Sequence, residues 1–143
     1  MKKILYILAA ICLLTSCEKE KTVAQQLVGD WHCSSVAIDA EIYTTFNADK
    51  TFVLYQQISE GAYRVYNGIY QITPSADGSS HILSGAYNDG TPWDSDQELF
   101  MVDGKTMTLK AAGITETYNR LTGGIPGEVT ASCVTIVKSP YVY

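Results

Sequence analysis

His32 and His81 are the only imidazoles in the chain, so proton transfer by a histidine near neutral pH would rest on one of them. Neither sits in a catalytic pattern. The chain has no Gly-x-Ser-x-Gly elbow to present a nucleophile, no His-Glu-x-x-His to hold zinc, no Cys-x-x-Cys and no glycine-rich phosphate loop. His32 follows Trp31 in an alternating run and therefore points outward, while His81 heads a run after a polar loop; both read as surface histidines. Asp94, Asp96 and Glu98, with Asp89 upstream, form the densest acidic stretch, at a spacing a hard cation such as calcium accepts. No Asp-x-Asp-x-Asp-Gly loop closes on a Glu, so the stretch reads as a solvated loop and no metal site is assigned. The expectation is a chain that is not an enzyme and carries no cofactor.

Binding chemistry has more support. Tyr55, Tyr63, Tyr66, Tyr70, Tyr87 and Trp93 supply amphipathic rings that suit a wet cavity or an exposed surface. Between Tyr63 and Thr73 two faces alternate, Tyr63, Val65, Asn67 and Ile69 against Tyr66, Gly68 and Tyr70. The mixed polar and apolar face of Tyr63, Asn67 and Gln71 is assigned to a ligand-lining interior. The formal charge of -5 becomes -7 without residues 1–16, which contain Lys2 and Lys3 and no acid. With no basic stripe to displace counterions from phosphates, nucleic-acid binding is excluded, and an anionic ligand is disfavoured.

The elements that must position these residues are strands. At 143 residues with 46% hydrophobic and 17% charged content, the chain has the size and composition of one independently folding domain. Thr22 to Val28 carries a candidate N-cap and apolar positions at helical spacing, which predicts one or two helical turns stopped by Gly29. Period-two runs follow at Asp30–Asp39, Glu41–Phe46, Thr51–Ile58, Tyr63–Thr73, His81–Tyr87, Gln97–Val102, Thr106–Ala111 and Ile114–Leu121. Asn47-Ala48-Asp49-Lys50 and Asp103-Gly104 mark hairpins, and Met107, Leu109 and Ala111 form a buried face. About eight strands joined by short turns predict an all-β, up-and-down antiparallel barrel over residues 27–121, which leaves no exposed edge. Thr122 to Gly127 breaks the pattern. Val129 to Val137, within an extension over 122–143, is strand-like and either adds a ninth strand or lies across a barrel opening.

The leader is an address. Met1-Lys2-Lys3 is a basic start, and the eleven apolar residues from Ile4 to Leu14 are too few to span a membrane as a helix, so residues 1–16 read as a signal-peptide helix. Leu14-Thr15-Ser16-Cys17 resembles the lipobox of bacterial lipoproteins. That resemblance implies a diacylglyceryl anchor and fatty acids such as palmitate on Cys17. It also implies location in the bacterial cell envelope, at the outer membrane, with residues 17–26 as a tether. Cys33 and Cys133 then remain in an exported domain, where they form one disulfide or stand as two buried thiols.

Gly29-Asp30-Trp31 at the entry to the first strand resembles the Gly-x-Trp signature of lipocalins and related calycins, and Arg120 stands where that family places an Arg over the Trp ring. Phe46-Asn47-Ala48-Asp49-Lys50-Thr51-Phe52 resembles the Phe-x-x-Asp-Gly-Thr-Phe hairpin of small bacterial lipocalin-like lipoproteins, with Lys50 in place of Gly. The resemblance implies that Gly29, Trp31 and Arg120 close one end of the barrel and that a small, largely apolar ligand occupies the other. The alternative is an envelope interaction module with a packed barrel, binding a glycan or a protein through exposed aromatics and loops.

Overall fold

The computed structural model describes residues 21–136; the leader and Cys17 lie outside the described residues. A short helix, α1 (Val23–Leu27), opens the domain. It is set by a capping box in which the Thr22 hydroxyl accepts from the Gln25 backbone N–H while the Gln25 side chain accepts from the Thr22 N–H. Part of the expected tether is therefore structured, and Leu27 is buried.

Eight antiparallel strands follow, β1 (Gly29–Ser35), β2 (Ala40–Phe46), β3 (Thr51–Ser59), β4 (Ala62–Pro74), β5 (His81–Tyr87), β6 (Gln97–Val102), β7 (Thr106–Ala111) and β8 (Ile114–Arg120). Each pairs with its sequence neighbours, and β8 returns to β1, so the sheet closes into an up-and-down barrel. Closure is uneven. β1 and β8 share two ladder pairs, Trp31 with Arg120 and His32 with Asn119, and then separate. β4 spans two neighbours: residues 62–69 pair with β3 and 68–74 with β5.

Turn chemistry sets the hairpins. Asp103 and Gly104 both have positive φ, as do Ala112 and Gly113, which is the requirement of the tight hairpin turns whose twist matches the strands. Lys50, in the place the resembling hairpin gives to Gly, has φ of 70°. Its neighbours hold it there: its N–H donates to the Asn47 carbonyl at 3.1 Å, its carbonyl accepts from the Tyr70 N–H at 2.8 Å, and its ammonium lies 5.4 Å from the Tyr70 ring centroid.

Helix α1, the β2–β3, β4–β5 and β6–β7 turns and Arg120 gather at one end of the barrel, and that end is plugged. The Trp31 indole, fully buried, donates from Nε1 to the Leu27 carbonyl at 2.8 Å. The Arg120 guanidinium lies 4.3 Å from the Trp31 ring centroid and donates to the carbonyls of Gln26, Val28 and Gly104. One side chain thus ties helix, strand entry and turn together. Gly29 is required beside it, because its φ of 134° disfavours an L side chain and a Cβ there would stand 2.3 Å from Arg120 Nη1.

The C-terminal extension differs from one long strand. A short helix, α2 (Gly127–Ala131), precedes β9 (Cys133–Ile136), which runs parallel to β4 along residues 63–65. β5 ends at Tyr87, opposite Gly68, and leaves that edge of β4 open, so β9 covers an edge that barrel closure does not. The disulfide alternative is corrected: both cysteines are free. Cys33 faces the interior and Cys133 sits outside beside α2, its thiol 3.4 Å from the Val129 carbonyl.

Candidate functional site

The other end of the barrel is open. The β1–β2, β3–β4, β5–β6 and β7–β8 connections lie at that end, and a cavity of about 260 Å³ opens there, bordered by the β5–β6 and β7–β8 connections. Phe46 and Phe52 form its floor, Leu54, Leu83 and Leu109 its walls, and Tyr87, Trp93 and Ile114 its rim. The lining is mainly apolar because alternate residues of every strand face inward, and those reaching this cavity from β2, β3, β5 and β7 are aromatic or aliphatic except Thr44.

Trp93 enters from the β5–β6 loop. Its backbone N–H donates to the Gly85 carbonyl at 2.9 Å, and Ala86 forms an isolated bridge with Pro92, so the loop folds back along the barrel wall. Gly85 makes room for the ring: a Cβ there would lie 2.6 Å from the indole. Phe52 meets Trp93 edge to face at 5.2 Å and Tyr87 at 6.1 Å. The Trp93 Nε1 atom is shielded from solvent and has no protein acceptor among the described residues. Burial first, then Asp94 and Tyr66, pushes the Tyr87 phenol above its ordinary range.

The cavity is not wholly apolar. Glu116 lines it and spans the gap where β1 leaves β8: Oε1 accepts from Ser35 Oγ at 2.6 Å and Oε2 from Cys33 Sγ at 3.0 Å. Burial and this carboxylate push the Cys33 thiol up to about 12. A thiol held protonated beside a carboxylate is a hydrogen-bond donor, not a nucleophile. Gln56, Arg64 and Tyr66 border a second, more polar cavity of about 260 Å³ on the β3–β4 side.

The interior assignment of Tyr63, Asn67 and Gln71 is corrected. They pair in register with Gln57, Val53 and Ser84 on the outward face, whereas Tyr66, Gly68, Tyr70 and Ile72 face inward with Leu54, Phe52, Gly85 and Leu83. The mixed polarity that suggested a lumen belongs to a surface partly covered by the extension: α2 packs on β4, and Tyr63 is buried there against Tyr43. Gly29, Trp31 and Arg120 do meet, at the closed end. His32 is on the outer surface, bonded to Glu41 and stacked on Tyr43 at 4.6 Å. His81 pairs with Leu99 at the closed end. Asp94 borders the cavity, while Glu98 accepts from Ser80 at 2.9 Å on the outer face.

Sequence reasoning missed Gly85 and Glu116. Both carried a signal: a glycine inside a strand marks close approach, and Glu116 lies four residues before Arg120, on the same face of a period-two run. Among the described residues no helix is long and apolar enough to cross a membrane. No protein-family model, curated protein or solved structure matches the chain.

Proposed function

We propose that this chain is a lipocalin-like envelope lipoprotein that holds a small, largely apolar molecule in the open end of its barrel, with lipid on Cys17 as its anchor. The observation that carries the reading is the cavity of about 260 Å³, lined mainly by apolar side chains and open at one end. Its volume lies between the roughly 150 Å³ of a dry cavity that takes benzene and the roughly 300–1,000 Å³ of sites for drug-sized ligands. The ligand is therefore compact.

The tether enters at the closed end, where α1 packs. The five links from Cys17 to Thr22 reach at most about 18 Å, so an anchored domain presents its mouth away from the bilayer. The packed-barrel alternative, binding through exposed rings, is weaker because Tyr66 and Tyr70 are buried inward and Tyr87 and Trp93 line the cavity. Thermal shift with small aromatic and aliphatic compounds against oligosaccharides tests the reading. A compound at a hundred times its dissociation constant adds about 2.7 kcal/mol of stability. A response to oligosaccharides alone would overturn the proposal.

A further inference from the structure

Among the described residues lining the apolar cavity, the charged ones are Asp94 and Glu116, and none is Lys, Arg or His. Of the basic side chains near the open end, Arg64 borders the second cavity and Lys110, next to the lining residue Ala111, has its ammonium 4.7 Å from the Phe100 ring centroid; neither lines this one. The same apolar cavity carries three aromatic rings set at steep angles, Phe52 to Trp93 at 77° and Phe52 to Tyr87 at 70°, so they form walls and not a stack. Aromatic walls with a negative field around them favour a cation that is weakly hydrated and needs few hydrogen-bond acceptors. Glu116 fits that description, since each of its oxygens already accepts a bond from Ser35 or Cys33 and it adds charge more than free acceptor capacity.

We propose that the ligand of this cavity is an organic ammonium ion, its cationic group held among Phe52, Tyr87 and Trp93 in the field of Asp94 and Glu116. The inference rests on the binding reading above and names its ligand class. An alkylated ammonium joined to a small apolar body matches both parts of the lining, whereas an anion of the same size meets two carboxylates.

Isosteres separate the two claims. Isothermal titration of the full chain in one non-ionic detergent compares phenyltrimethylammonium, the equally shaped but uncharged tert-butylbenzene, and the anion phenylacetate. The cation is expected to bind about ten-fold tighter than the neutral probe, an advantage that shrinks as salt rises. Asp94→Asn removes a charge from an exposed loop without touching the core, and Glu116→Gln keeps the shape and one acceptor oxygen. Together they should weaken the cation about five-fold more than they weaken tert-butylbenzene. Equal or tighter binding of tert-butylbenzene, or preference for phenylacetate, would overturn the ammonium assignment and leave the apolar-binding reading standing. Binding of none of the three would overturn both.

Discussion

Replacing Arg120 by Met removes the group that ties the closed end together while keeping an unbranched side chain over the Trp31 ring. Three donations from a charged guanidinium are lost, to the carbonyls of Gln26, Val28 and Gly104. Bonds of this kind contribute about 1.5–3 kcal/mol each when fully buried. These are part-buried and their carbonyls regain water, which brings the three together to about 2 kcal/mol. Loss of the cation over the indole adds about 1 kcal/mol. The expected destabilisation is about 3 kcal/mol. With a urea slope near 1.5 kcal/mol/M, the unfolding midpoint falls by about 2 M and the slope stays unchanged, because the barrel still closes. A second variant makes the argument stricter. Gly29→Ala places a Cβ 2.3 Å from Arg120 Nη1 and also strains the backbone at φ of 134°. In the Arg120→Met background the steric part disappears, so the two substitutions must be non-additive. A loss below about 0.5 kcal/mol for Arg120→Met, or additive behaviour of the pair, would refute the closed-end account.

Gly85→Val should displace Trp93 from the barrel mouth and locally part β5 from β4, because the new Cβ would meet both the indole and the Ile69 carbonyl at 2.6 Å; a red shift of tryptophan emission and loss of ligand response are expected, and an unchanged spectrum would count against it. Iodoacetamide at pH 8 should label part-exposed Cys133 well before Cys33, whose thiol is pushed up to about 12; equal labelling, or a Cys33–Cys133 crosslink by mass spectrometry, would contradict the geometry. Because that folded-state value lies above the ordinary one of 9.0, the Cys33 contribution to stability is complete below about pH 9 and is lost as pH rises toward 12, so stability should fall less steeply between these values in Cys33→Ala than in the parent, and an equal slope would count against it. Cys17→Ala should abolish fatty-acid labelling and detergent-phase partitioning, and unchanged partitioning would defeat the anchor.

Strand positions were legible in the chain because the period of two and the turn residues act locally: His81–Tyr87, Gln97–Val102 and Thr106–Ala111 have the ends their sequence predicts. The first strand stops at Ser35, four residues early, where residues 36–39 turn and Asp39 takes positive φ. Alternation defines two faces of β4 but not which one is interior. That choice came from closure and from the extension, whose helix and parallel strand lie on the first half of β4 beside an outward tyrosine at Tyr63. Trp93 reads in sequence as a ring for either a cavity or an exposed surface, and Gly85 on the facing strand gives it a place in the mouth. The sequence by itself determined the all-β order of elements, since propensity and turn chemistry are local, while the residues of the closed end came from the resemblance of Gly29-Asp30-Trp31 and Arg120 to the lipocalin pattern. The cavity, its two acids and its aromatic rings were decided by tertiary structure, because they are contributed by β2, β3, β5, β6, β7, β8 and the loops between them, which meet only when the sheet closes on itself.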